Sequence, residues 1–106
     1  MTRRRSKRVD GPVRFIVSYD ICDPKRLRRV HKVMKGFGDA LQYSVFICDL
    51  SPMARVKCET SLRAEINERE DQVLFINIGK TSGRGKVAVE ALGIPYEAPD
   101  RSAIIV

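Results

Sequence analysis

The alternation of apolar and polar positions divides the chain into short extended stretches and two helical ones. "VRFIVSY" (13–19) places Val13, Phe15, Val17 and Tyr19 on one face, and Ile16 on the other points to a strand covered on both sides. "DPKRLRRVHKVMKGFG" (23–38) changes to the helical period, with Leu27, Val30, His31 and Met34 as an inward stripe at i, i+3, i+4 and i+7. Asp23 suits the cap of that helix, Pro24 its first position, and Gly36 and Gly38 its end. "ALQYSVFICDL" (40–50) returns to a period of two, as two strands or one bent strand, with Leu41, Tyr43, Val45 and Ile47 alternating with Gln42, Ser44, Phe46 and Cys48. "SPMARVKCETSLRAEI" (51–66) repeats the helix-start grammar in Ser51 and Pro52, with Ala54, Cys58, Leu62 and Ile66 as its buried seam. "NERED" reads as a loop and "QVLFINIG" (72–79) as the most apolar strand. A basic loop "KTSGRGK" follows, then "VAVEALG" and "SAIIV" as further strands.

This order predicts an α+β fold, a ferredoxin-like βαββαβ sandwich with an extra C-terminal strand. Right-handed crossovers place both helices on one face of the sheet. The other face then needs cover. Phe15, Tyr43 and Phe75 are assigned to it, so a partner subunit, a homodimer, is expected there. Residues 1–12, "MTRRRSKRVDGP", read as a flexible basic tail closed by a turn, and residues 13–106 as the domain.

Composition narrows the classes. With 106 residues the chain has room for one modest core, and 43% apolar with 31% charged residues excludes a disordered chain. No apolar run reaches the roughly 18–20 residues that cross a bilayer, and the N-terminal charges lack the apolar stretch of a secretory signal. A cytoplasmic protein with no membrane partner is expected. Cys22, Cys48 and Cys58 are odd in number and far apart, and His31 is the single histidine. That argues against a disulfide framework, a zinc site and a Ser-His-Asp set.

Charge changes the picture more. Residues 1–35 hold twelve Arg or Lys against Asp10, Asp20 and Asp23, a net +9, whereas the other 71 residues sum to −2. A positive field on one third of a small domain favours a polyanion, and the asymmetry favours nucleic acid. On the first helix Lys25, Arg26, Arg28, Arg29, Lys32 and Lys35 form an outer ridge. Arg26, Arg28 and Arg29, with Arg3, Arg4 and Arg5 of the tail, are the expected phosphate contacts.

Asp20, at the mouth of the first strand, has no local task comparable to that of Asp23. By position alone a turn-forming role is the plainer reading. Magnesium takes one or two protein carboxylates and fills its shell with water and substrate phosphate. A two-fold dimer would bring two copies of Asp20 to one axis, where a divalent ion activates water and polarises a phosphodiester. Taken singly, Ser44 reads as a strand hydroxyl, Phe46 as core, His31 as a packed histidine, and Cys22 near a helix start as incidental. "GKTSGRGK" lacks phosphate-loop spacing and reads as an exposed hairpin loop.

Taken together, "IVSYDICDPKRLRRVHKVMKGFG", "LQYSVFICDLS" and "EDQVLFINIG" make the chain resemble the CRISPR-associated adaptation protein two family of metal-dependent endonucleases. The signature is Tyr19-Asp20 at the end of the first strand, then Gln42-Tyr43-Ser44-Val45-Phe46, then Asp71 before the apolar strand, across residues 13–93. The resemblance implies a homodimer whose C-terminal strand packs on the partner's sheet. It also implies Asp20 of each protomer as catalytic residue and ligand of a shared Mg²⁺ or Mn²⁺, with Tyr19, Ser44 and Phe46 beside the site. Cleavage of single-stranded RNA or duplex DNA is implied, as is a bridging role between integrase subunits in spacer capture, for which no cleavage is required. The basic tail has no counterpart in the family pattern, and Ile47 and Cys48 stand where an acidic or small residue is usual. A toxin-type ribonuclease of the same fold and a non-catalytic DNA-binding scaffold are the competing expectations. An RNA-recognition module is disfavoured, since no aromatic segment of that kind is present.

Overall fold

Strand β1 (Val13–Asp20) is the centre of a five-stranded antiparallel sheet, between β3 (Val45–Leu50) and β4 (Gln72–Asn77), with β2 (Asp39–Gln42) and β5 (Ala88–Gly93) at the edges. Helices α1 (Pro24–Lys35) and α2 (Pro52–Arg63) complete the βαββαβ order, and β5 is the extra strand. The structure, a computed structural model, describes residues 11–79 and 88–97. The basic tail with Arg3, Arg4 and Arg5, the "KTSGRGK" loop and "SAIIV" lie outside the described residues. Segment 40–50 forms two strands, with a register shift between Ala40 and Gln42. β5 pairs with the chain's own β4, from Gln72↔Gly93 to Asn77↔Ala88. No described helix is long and apolar enough to cross a membrane.

The helix ends follow the local chemistry expected of them. Asp23 sits in extended conformation and accepts from the N–H groups of Lys25 (3.0 Å) and Arg26 (2.9 Å), which a helix start otherwise leaves without partners. Ser51 Oγ does the same for Ala54 N–H at 3.1 Å. Pro24 and Pro52 take the first helical positions, where no N–H is needed.

The core lies between the sheet and the helices. Phe15, Val17 and Tyr19 of β1 meet Phe46, Cys48 and Leu50 of β3, Val73 and Phe75 of β4, and Val30, Met34, Cys58 and Leu62 of the helices. Burial pushes the Cys48 thiol up to about 11 and the Cys58 thiol up to about 12, so both stay protonated and unreactive.

Phe15 and Phe75 therefore line the helix-covered face, not the open one to which they were assigned. Period-two geometry requires it: Phe15 shares parity with Val17 and Tyr19, and the ladder sets Phe75 opposite Val17. Arg55 of α2 lies over both rings, its guanidinium 4.7 Å from Phe15 and 4.2 Å from Phe75, and it pairs with Glu59 and Glu90. Tyr43 belongs to neither face. It sits in the turn between β2 and β3, against His31.

The open face is apolar all the same. One row across the strands reads Ile47, Ile16, Ile76, Val89, and the next reads Val45, Ser18, Leu74, Ala91. Each of these is partly exposed, with no helix over it among the described residues. An Arg14–Asp49 bridge at 2.8 Å closes one end of the face, and Asp20 and Gln72 stand at the other.

Candidate functional site

Asp20 closes β1 opposite Gln72 and points to the open face, on the side of Ile16 and Ser18. Its carboxylate is exposed and makes no hydrogen bond or ion pair with any described residue. Three other aspartates are engaged: Asp23 caps α1, Asp49 pairs with Arg14, and Asp71 is enclosed, whereas Asp39, at the start of edge strand β2, is exposed like Asp20. Asp20 is thus held by its backbone while its side chain stays available.

The hold comes from the loop that follows. Cys22 N–H donates to Asp71 Oδ1 at 2.9 Å, and the Cys22 thiol donates to Glu70 O at 3.0 Å. Asp71 is fully buried and accepts in addition from Arg26 Nε (2.8 Å), Arg26 Nη2 (3.2 Å) and Asn67 N–H (2.8 Å). Burial pushes the Asp71 carboxyl up, but the Arg26 guanidinium and the two backbone N–H donors outweigh it and hold the group below the usual carboxylate range. Its hydrogen bond to Asp71 holds Arg26 above its ordinary value against the cost of burial. One ion pair thus ties the start of α1, the loop after Asp20 and the entry to β4 together. Gly93 lets β5 close over the same place, since at φ +87° a Cβ would lie 2.1 Å from Asp71 O.

This geometry redistributes the basic ridge. Arg26, expected to face phosphate, directs its guanidinium at Asp71 and Glu70, and Arg29 pairs with Glu65 at 2.8 Å. Arg28, Lys32 and Lys35 are exposed and pair with no described residue. In the sequence, the Arg26–Asp71 pairing had one available signal: an acidic residue just before the most apolar strand, in a chain with a very basic helix.

Of the residues expected beside Asp20, Tyr19 and Phe46 face the helix side of the sheet, opposite to it, and Ser44 sits in the turn between β2 and β3. Phe46 is fully buried, and Ser44 contributes its carbonyl oxygen, which accepts from Tyr19 N–H at 3.0 Å. Tyr19 Oη donates to the Tyr43 carbonyl oxygen at 2.6 Å. His31 Nδ1 lies 3.0 Å from that same oxygen and 3.2 Å from Tyr19 Oη. A carbonyl oxygen only accepts, so this network assigns the His31 proton to Nδ1. Burial raises the Tyr19 hydroxyl well above its ordinary value, and nearby Tyr43 adds to this, so Tyr19 remains a donor. Tyr43 is the residue that reasoning from sequence missed as a feature of this end of the sheet.

Among the described residues no three His, Cys, Asp or Glu side chains cluster as a metal cage. The Asp20 carboxylate, one per chain, is a hard oxygen donor. It fits an ion that keeps most of its water, as Mg²⁺ and Mn²⁺ do, and does not fit a four-ligand zinc site.

A family model described as CRISPR associated protein Cas2 matches residues 13–84. The CRISPR-associated endoribonuclease Cas2 1 of Rhodospirillum rubrum is 38% identical over 101 residues, which cover 95% of this chain and 98% of that protein. The CRISPR-associated endoribonuclease Cas2 of Geobacter sulfurreducens is 39% identical over 92 residues, 87% of this chain and 96% of that one. Among solved structures, Streptococcus pyogenes Cas2 at pH 6.5 is 34% identical and aligns with a TM-score of 0.55 over 58% of this chain and 81% of its own. A hypothetical protein from Thermus thermophilus, TT1823, is 20% identical with a TM-score of 0.57, covering 85% and 90% of the two chains, a likeness of fold alone.

Proposed function

The chain belongs to the CRISPR associated protein Cas2 family, and from that premise we propose that it is a metal-dependent endoribonuclease acting as a two-fold dimer. The observation that carries this reading is the free, exposed Asp20 carboxylate on the same face as the two uncovered apolar rows. A second copy packed on Ile16, Ile47, Leu74 and Ile76 brings a second Asp20 to the same side. The curated relatives are named endoribonucleases, which favours RNA as substrate.

In this mechanism the Asp20 carboxylate of each protomer would hold a shared Mg²⁺ or Mn²⁺. Such an ion, when bound, polarises a phosphoryl oxygen and lowers the pKa of its water. The remaining work falls to the chain. Arg28, Lys32 and Lys35 neutralise phosphates along α1. The Asp71–Arg26 pair fixes the loop behind Asp20, and Tyr19 holds the 43–44 turn at the same end of the sheet.

Incubation of purified protein with single-stranded RNA and Mg²⁺ is expected to give cleavage that stops on chelation and returns with fresh metal. Cleavage indifferent to chelation overturns the reading. The dimer has its own test. Ile76→Glu sets a charge in the middle of the apolar rows and is expected to convert a dimer to monomer by light scattering, with cleavage lost. A variant that stays dimeric and active rules out this face as the interface.

A second reading has its own support: Arg28, Lys32 and Lys35 lie along a helix and are not needed to hold Asp20. A duplex laid across them would make the dimer a bridge between integrase subunits in spacer capture, with or without cleavage.

A further inference from the structure

Half of Tyr43 (50%) is exposed, unusual for an aromatic residue held so firmly. Its ring lies parallel to that of His31, with centroids 3.9 Å apart and planes within 4°. His31 rests in turn on Phe46, edge to face at 5.4 Å, and Phe46 is part of the buried core. The backbone beneath is fixed by the hydrogen bonds from Tyr19 and His31 to the Tyr43 carbonyl. His31 covers one ring face at van der Waals distance, so the exposed part is the opposite face and the phenol edge. The structure thus presents a rigid π-surface, oriented before any ligand arrives, with no described residue stacked on its outer side.

The surroundings say what such a surface suits. Arg28 and Lys35 stand at i−3 and i+4 from His31, one turn on either side of it on α1, and Lys32 follows it. All three are exposed and pair with no described residue. An aromatic face bordered by cations about one helical turn apart matches a nucleotide, whose base stacks while its phosphates are neutralised. A regular duplex offers phosphates but no free base face, so the geometry selects an unpaired base. The Tyr19–Ser44 hydrogen bond carries the β1–β3 pairing up to the 43–44 turn, so this surface and Asp20 share one end of the sheet.

We propose that the outer face of Tyr43 is a stacking site for an unpaired base of single-stranded RNA or DNA, with Arg28, Lys32 and Lys35 holding the adjoining phosphates. The proposal rests on the nucleic-acid reading above and sharpens it. Tyr43 selects strands with an unstacked base, while the lysines and arginine accept any phosphate backbone.

The test measures affinity in chelator, where no turnover occurs, for three probes: a short single-stranded RNA carrying 2-aminopurine, its DNA counterpart and the blunt duplex. Tyr43→Leu keeps apolar bulk and removes the π-face. It is expected to weaken binding of both single strands about 5- to 100-fold and to abolish quenching of 2-aminopurine fluorescence. Tyr43→Phe retains both properties, and duplex affinity stays unchanged in both variants. The Tyr43 carbonyl belongs to the backbone, so both variants keep the hydrogen bonds beneath it, which an unchanged melting temperature verifies. Single-strand affinity unchanged in Tyr43→Leu, or an equal loss on the duplex, overturns the stacking site and leaves the nucleic-acid reading standing. Failure of the parent protein to bind any of the three probes overturns both.

Discussion

Asp20→Asn is expected to leave a folded chain that binds RNA like its parent and cleaves none of it in Mg²⁺. The fold loses nothing, because the Asp20 carboxylate is exposed and joins no hydrogen bond or ion pair among the described residues. A change of this kind at the surface alters stability by no more than about 0.5 kcal/mol. Metal binding loses much more. Asparagine offers a neutral carbonyl where a carboxylate stood, at both halves of the proposed site at once. Loss of a supporting partner around a metal costs roughly 10- to 100-fold in affinity or activity, and loss of the ligand itself exceeds that. Cleavage assays beside thermal melting decide the matter. Equal cleavage by parent and variant would mean that Asp20 is not the metal ligand, and a large fall in melting temperature would make it structural.

Asp71→Asn has the opposite signature, a large loss of stability. Asparagine can still accept from Cys22 N–H through its oxygen, but its NH₂ then meets Arg26 Nε and Asn67 N–H, donor against donor. Removing one charge from a buried pair costs about 3–5 kcal/mol, a large share of the stability of a domain this size. Urea unfolding near neutral pH is expected to show that loss. The sign of the pH dependence follows from the lowered carboxyl. Stability from the Asp71–Arg26 pair is fully present above the unfolded value of roughly 3.9 and is lost as pH falls through the lower folded value. The gap between parent and variant should therefore narrow in acid below about pH 4. A gap that stays constant from neutral pH into acid would show that the ionised pair is not its source. Cleavage should fall as well, since the loop that carries Asp20 into α1 is released.

Much of this was legible in the chain. The caps Asp23 and Ser51, the prolines after them and the α1 stripe are local patterns, and they fixed both helix starts to the residue. Strand parity along β1 was equally legible. What that parity faced was not: Phe15 and Phe75 were given to the open side, because nothing in a single sequence says which face of a two-sided strand the helices cover. The ladder settles it through Phe75 opposite Val17. Arg26 shows a second limit. On a helical wheel it is one of six outward cations, and only the approach of Asp71, forty-five residues away, turns it inward. Tyr43 shows a third, since its importance depends on the parallel ring of His31, which periodicity cannot place. Asp20 became a candidate through resemblance together with position, and the structure contributes its side-chain freedom and its face.

The central position of β1 also sets the order in which the molecule can be assembled. Of the described strands the ribosome makes β1 first, yet its two neighbours are β3 and β4, and β4 begins only at Gln72. During synthesis the N-terminal strand waits with one edge unpaired while both helices, which close locally, can already form. Most of the described chain has to leave the exit tunnel before the sheet closes, and the strand that ends in Asp20 is a sticky edge until then. Until β4 emerges, one edge of β1 is open to pairing with another nascent chain, a hazard that the strand order itself creates.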